Sequence, residues 1–392
     1  MKTPTRIEKP LHLFVFSFLA LSLLASAVWW LTRPRPDAAA PTLLTASTDI
    51  TGFARAYAPR DFQFPRDHGP HFDYQTEWWY YTGNLDTADG KHFGYQLTFF
   101  RRGLTPGTPK RESDFATNQI YFAHFAITDV AGDKHTFSER FSRGAAGLAG
   151  ASGEPFHAWL EDWSVEALDG DGSAVHLRAR DDNRAIDLTL RAAKPVVAHG
   201  DRGLSAKSEQ PGNASYYLSF TRMATEGQVT VNGEARPVRG ESWFDHEWST
   251  SALGADIVGW DWFALQLSDG RELMFYQFRR ADGSMGPLSA GTLVQPDGSA
   301  IRLKASDVQI ETLATWPSPE SKGVYPSRWR IVIPSAQIDL TIEPWLAEQE
   351  MRVSFPYWEG AVRLTGTSGG AAVTGNGYVE LTGYVSSMQG VF

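Results

Sequence analysis

Four aromatic residues run together in Glu77-Trp78-Trp79-Tyr80-Tyr81-Thr82-Gly83-Asn84-Leu85, and a strand that carries them must be covered on both faces. Side chains alternate across a strand, so Glu77, Trp79 and Tyr81 share one face while Trp78, Tyr80 and Thr82 take the other. One face thus sets a carboxylate among indole and phenol rings, as the wall of a closed sheet around a large apolar ligand would. An aromatic strand buried between a barrel and a neighbouring domain has the same pattern.

The arrangement recurs. Trp78 leads through Asp89-Gly90 to Phe93–Arg102, and far downstream Trp260-Asp261-Trp262-Phe263 leads through Asp269-Gly270 to Leu273–Arg280. Each copy is an aromatic strand, an Asp-Gly hairpin turn, a second aromatic strand and an Arg-Arg stop. Two copies roughly 180 residues apart are too distant for a solenoid and predict two related β domains, with the hairpins in equivalent places. An aromatic content of 13% with 36 glycines fits many short strands joined by tight turns.

With 36 Lys+Arg against 45 Asp+Glu and no basic cluster, nucleic acid is excluded as a partner. The absence of cysteine excludes disulfides, a lipobox, thiol nucleophiles and Cys-ligated zinc or iron–sulfur centres. Lys2, Arg6 and Lys9 precede an apolar run from Leu11 to Leu31. Residues 1–32 therefore read as a signal peptide, cleaved after Ala25-Ser26-Ala27, or as a membrane anchor. Either way the protein is expected outside the cytoplasm, in the periplasm, soluble after cleavage or held at the inner membrane by residues 11–31. Residues 33–52 read as a flexible tether, 53–238 as a first β domain and 239–392 as a second.

Asp245-His246-Glu247-Trp248 puts two carboxylates, an imidazole and an indole together, in a segment (245–255) that looks irregular and inter-domain. Desolvation and mutual repulsion there would leave one group protonated near neutral pH, making Asp245, His246 and Glu247 the candidate catalytic residues. Trp248, Trp260 and Trp262 offer rings that stabilise a cation, with Asp261 on the opposite strand face from the latter two. Glu77, Gln96 and His124 are polar positions in successive aromatic strands and, with Trp79 and Tyr81, candidate ligand contacts on the inner face. His68 and His71 lack a partnered acidic ligand, and no metal or cofactor is expected. Gly366-Thr367-Ser368-Gly369-Gly370 formally fits a serine-hydrolase nucleophile elbow but lies between strands, where it reads as a hairpin loop.

Glu77–Gly83, Gly240-Glu241-Ser242-Trp243-Phe244-Asp245-His246-Glu247-Trp248, Gly259–Phe263, Tyr357-Trp358-Glu359-Gly360-Ala361-Val362 and Gly377-Tyr378-Val379-Glu380-Leu381-Thr382-Gly383-Tyr384 form an ordered series. From roughly Phe53 onward the chain resembles the AttH-type, carotenoid 1,2-hydratase-related proteins. The resemblance implies an all-β fold of two tandem lipocalin-like β-barrel domains and an extracytoplasmic protein. It also implies binding of a hydrophobic, lipid- or isoprenoid-like molecule, with cofactor-independent hydration of a double bond as the enzymatic version. His246 or Asp245 would then donate the proton, and Trp248 and Trp260 would stabilise the cation. Alternatives are a lipid carrier serving an envelope transport system, a secreted hydrolase, and a pericyclase or isomerase.

Overall fold

The computed structural model describes residues 50–107, 112–251 and 253–390; the predicted signal or anchor and most of the tether lie outside them. Among the described residues no helix is long and apolar enough to cross a membrane. Alternating apolar residues and Asp-Gly or Asn-Gly turns give two antiparallel sheets.

The first sheet comprises β1 (Thr76–Asp86), β2 (His92–Gly103), β3 (Gln119–Asp129), β4 (Lys134–Arg143), β5 (Ala149–Gly153), β6 (Phe156–Leu160) and β7 (Trp163–Ala167). It continues with β8 (Ala174–Asp181), β9 (Arg184–Ala192), β10 (Val197–Ala198), β11 (Leu204–Ala206), β12 (Ala214–Val231) and β13 (Glu234–Ser249). The second comprises β14 (Ile257–Leu267), β15 (Glu272–Arg280), β16 (Ala290–Val294), β17 (Ala300–Lys304) and β18 (Gln309–Pro317). Its remaining strands are β19 (Val324–Ile333), β20 (Ile338–Pro344), β21 (Glu350–Arg352), β22 (Pro356–Ser368) and β23 (Ala371–Leu381).

The main path of the first sheet is β4-β3-β2-β1-β13-β12-β9-β8-β7-β6-β5 and that of the second β17-β16-β15-β14-β23-β22-β20-β19-β18. In each, a hairpin leads into the sheet and its first strand pairs with the last long strand, β1 with β13 and β14 with β23. The Trp78–Arg102 and Trp260–Arg280 hairpins thus hold the same place in two orders, as the repeat predicts. Each sheet curls into a nearly closed, lipocalin-like barrel around its own core.

The interior of the first barrel is an aromatic core. Trp79, Tyr81, Tyr95, Phe99, Phe125 and Trp163 fill it, so the expectation that Trp79 and Tyr81 line a ligand-holding lumen is corrected: they are core. Phe263, Phe275, Tyr325, Trp329 and Trp358 do the same in the second barrel. Gly369 and Gly370, with φ of +60° and +81°, make the tight turn from β22 to β23, so the Gly366–Gly370 segment is the hairpin its sequence context predicts.

The domain boundary also shifts. β13 pairs with β1 and β12 through Ser249, so residues 239–249 complete the first barrel and the segment at 245–249 is a regular strand. Its sequence looks irregular because both faces are buried, one in each environment, which removes the apolar–polar alternation that marks a half-exposed strand.

The outer face of β1 and β2 packs on the second barrel. Tyr80 Oη donates to Glu359 Oε2 at 2.9 Å and Asn84 Nδ2 to the Gly377 carbonyl at 2.9 Å. A Cβ on Gly94 would come within 2.4 Å of Ala361 Cβ, so glycine there lets the barrels touch. At another point Glu272 of β15, fully buried, accepts from Lys194 Nζ at 2.7 Å and Arg222 Nε at 2.6 Å. A carboxylate without these cations would be costly at such depth, so the interface is fixed as well as apolar.

Candidate functional site

Between the barrels, where the outer faces of β1, β12 and β13 meet β14, β15 and β23, lies a cavity of about 130 Å³, comparable with an apolar cavity of about 150 Å³ that takes up benzene. Rings of Trp78, Tyr80, Tyr217, Trp260, Trp262 and Tyr276 wall it, and Asp245, Glu247, Glu380 and Lys207 are its ionisable groups.

Asp245 on β13 faces Tyr80 on β1 and Ser219 on β12. It accepts from Tyr217 Oη at 2.5 Å, Trp243 Nε1 at 2.6 Å and Ser219 Oγ. Tyr217 Oη in turn accepts from Trp262 Nε1 at 2.9 Å, which commits the tyrosine proton to Asp245. The imidazole of His199 lies 2.7 Å from Ser219 Oγ through Nε2 and 2.8 Å from Thr292 Oγ1 through Nδ1. Because Ser219 gives its proton to Asp245, it accepts one from His199, and Thr292 donates to Nδ1. Burial holds His199 down at about 3, so the ring is neutral, as this relay requires. Burial pushes Asp245 up to about 7 against the pull of its three donors. With two donors on Oδ1 and one on Oδ2, one of roughly four acceptor sites is left, on Oδ2.

Glu380 on β23 faces Trp262 on one side and Glu359 on the other. Trp260 Nε1 donates to its Oε2 at 2.7 Å. Burial raises Glu380 to about 7, and the charges of Asp245 and Glu247 add to the rise against the Trp260 hydrogen bond. Glu247 is paired differently, with Lys207 and the Ser215 hydroxyl, and Lys207 Nζ lies 5.2 Å from the Tyr276 ring centre. The cavity thus holds two carboxyl groups that titrate near neutrality, one gripped as an anion by three donors and the other by one.

Of the residues proposed from sequence, Asp245, Glu247, Trp260 and Trp262 line this cavity. His246 does not: strand alternation turns it, with Glu77, Trp79 and Tyr81, into the first barrel, and Trp248 packs with Tyr216 and Leu218 away from the cavity. His246 Nε2 lies 2.9 Å and His71 Nδ1 2.8 Å from Glu77 Oε1, and Arg101 Nε donates to Oε2 at 2.8 Å. Burial would raise Glu77, but Arg101 and the two histidines overcome it and hold the carboxyl well below its usual range. Burial lowers His246, leaving a neutral ring that faces away from the cavity.

His71, Glu77 and His246 place three ligand atoms within 4.8 Å. Arg101 already neutralises that carboxylate, which favours a hydrogen-bonded ion pair over a divalent cation there. Gln96 and His124 do not share the inner face with Glu77; they lie on the outer face, buried against the second barrel, where His124 Nδ1 is 2.6 Å from Tyr357 Oη. Asp261 points away from Trp260 and Trp262, toward Arg279 Nη1 at 3.3 Å and Tyr384 Oη at 3.0 Å.

Sequence alone does not single out Glu380, Tyr217, Lys207 and His199 as site residues. Glu380 carries a faint signal, a lone acid between Val379 and Leu381 in a strand. Nothing local says that it meets Asp245 across two barrels.

The AttH-like family model matches residues 55–384, most of the chain. The chain belongs to the AttH-like family. Among solved structures, an AttH from Nitrosomonas europaea is 33% identical with a TM-score of 0.76, covering 85% of this chain and all of that one. Kievitone hydratase from Nectria haematococca shares the fold at a TM-score of 0.65 and 15% identity, covering 85% of this chain and 96% of that one. A kievitone hydratase from Fusarium solani subsp. phaseoli is 22% identical over 229 residues, 56% of this AttH-like chain and 63% of the relative's length.

Proposed function

We propose that this AttH-like protein binds an apolar, unsaturated molecule in the cavity between its barrels and adds water across an isolated carbon–carbon double bond, using only its own side chains. The observation that carries this reading is the pair Asp245 and Glu380, two carboxyls near neutrality inside an aromatic wall. The relatives named as hydratases, one similar in sequence and one sharing the fold, supply a precedent.

In the reactive form Glu380 holds the proton and Asp245 is ionised, the arrangement favoured by three donors on Asp245 against one on Glu380. The Glu380 O–H breaks as the alkene π pair takes its proton, forming a C–H bond and leaving a cation on the neighbouring carbon. Trp78, Trp260 and Trp262 line the cavity in which that charge develops, and indole rings stabilise a nearby cation. A water oxygen bonds to the cation and loses a proton to the free site on Asp245. Returning that proton to Glu380 restores the pair.

Reaction in H₂¹⁸O with a panel of branched and linear alkenes should give alcohols two mass units heavier than those from ordinary water. Tight alkene binding with no label in any product would sink the reading. The pH profile is a separate expectation. Asp245 must be ionised, so kcat falls as pH drops below about 7, and Glu380 must be protonated, so kcat falls as pH rises above about 7. A bell centred near neutrality is expected, and a profile flat from pH 5 to about 9 would count against it.

The sequence of residues 1–32 supports action outside the cytoplasm. Fractionation of the host should find a mature chain starting at Val28, or the full-length chain with membranes; a full-length soluble cytoplasmic form would refute export.

A further inference from the structure

A reaction that adds water inside an apolar cavity must bring that water in while the substrate excludes bulk solvent. Behind Tyr80 the two barrels bury four polar atoms that have no protein partner: Thr82 Oγ1, Gln96 Oε1, Glu359 Oε1 and Tyr378 Oη. Each residue is at most 1% exposed.

Strand register places them together. Thr82 follows Tyr80 on the outer face of β1, and Gln96 sits directly opposite it on β2. Tyr80 bonds Glu359, while Asn84, two residues past Thr82, bonds the Gly377 carbonyl, so Thr82 faces the stretch between those two anchors. Tyr378 lies in that stretch, opposite Ala361 and next on its face to Glu380, which is itself opposite Glu359. Gly94, beside Gln96 on the same face, touches Ala361. Directly opposed side chains in an antiparallel pair stand roughly 5 Å apart at Cβ, and like charges there are unfavourable. Glu359 and Glu380 therefore cannot both ionise cheaply, and Glu359 has no cation partner among the described residues.

We propose that Thr82, Gln96, Glu359 and Tyr378 form a polar recess that binds ordered water and supplies it, past Tyr80, to the cation formed in the cavity. Buried polar groups without protein partners are ordinarily met by water, which is held by two to four of them. Tyr80 has the recess on one side through Glu359 and the cavity on the other, with Asp245 directly opposite it on β13. Water passing Tyr80 thus arrives beside the group that takes its proton. The Glu359 carboxyl, kept neutral chiefly by burial, lets water dwell there without an ion to hold it fixed.

The supply role rests on the hydration reading, but the recess is tested independently. A high-resolution crystal structure of the full chain should show ordered water bridging at least two of the four atoms; a dry recess overturns the proposal. In the Thr82→Val/Gln96→Leu variant the cation should lose a proton to Asp245 instead of capturing water, giving the double-bond isomer. The hydrate-to-isomer ratio should drop by about tenfold or more while ligand affinity stays within about threefold. An unchanged ratio refutes the supply role. Should the double variant fail to fold, Tyr378→Phe removes one hydroxyl and should lower the same ratio in the same direction; a ratio that does not move in that variant refutes the supply role as well. If no alkene is ever hydrated, the supply role falls with the reaction, and the recess stands or falls on the crystallographic water.

Discussion

Glu380→Gln should lower kcat by about 10²–10⁴, or about 3–5 kcal/mol in the barrier, the usual worth of a positioned general acid. The amide has the shape of the acid and still accepts from Trp260 Nε1, which holds Oε2 at 2.7 Å, so the wall of the cavity should keep its form. What disappears is the transferable proton. Affinity for the apolar ligand should change by less than about threefold, because it comes from buried aromatic area. A split of this kind, large in kcat and small in KM, marks an interaction made in the transition state. Full turnover in Glu380→Gln would remove it as the acid. Asp245→Asn is the companion: it should also lose turnover, and its pH profile should keep only the limb on which rate falls with rising pH.

Arg101→Leu should cost the fold about 3–5 kcal/mol, because it strands a buried carboxylate. Glu77 and Arg101 are both fully buried, and the guanidinium also donates to the carbonyls of His71 and Tyr74 at 2.9 and 2.8 Å. The sign of the pH dependence separates this cause from lost packing. In the native protein Glu77 is held well below its ordinary value. Its contribution is therefore full above about pH 4.5 and declines as pH falls toward the folded value. In Arg101→Leu burial is no longer opposed by the guanidinium, so the penalty appears above about pH 4.5 and shrinks below it. Urea denaturation at pH 7 and pH 4 should find the deficit larger at pH 7. An equal deficit at both would mean that packing, not the stranded charge, is the cause. Glu77→Leu/Arg101→Leu should recover much of the loss.

The aromatic strand at Trp78–Tyr81 announced a surface buried on both sides, and the Asp-Gly hairpins announced two related sheets, because both are local consequences of side-chain alternation and turn chemistry. Sequence does not distinguish which face does what. Trp79 and Tyr81 looked like ligand contacts and are core, whereas Trp78 and Tyr80 face the cavity. The two pairs have the same composition, and only the arrival of the second barrel distinguishes them. His246 was misplaced for the same reason: in Asp245-His246-Glu247 neighbours in sequence point to opposite environments. Sequence assigns Glu380 and Glu359 no role, since their unusual protonation arises from burial and from acids that only the fold brings near, Asp245 and Glu247 for Glu380 and Glu380 for Glu359.

The clamp at Glu272 bears on how such a protein can be rebuilt. Cut after Ser249, the first barrel would keep Lys194 and Arg222 without the Glu272 carboxylate that both donate to, Arg222 retaining only its pair with Glu241, and the second would present an acid shaped for absent cations. Chimeras that exchange whole barrels between relatives would inherit mismatched halves of this lock, and of the cavity that both halves wall. Grafts should instead travel as facing surfaces, β1, β12 and β13 together with β14, β15 and β23, leaving the two packed interiors as interchangeable ballast.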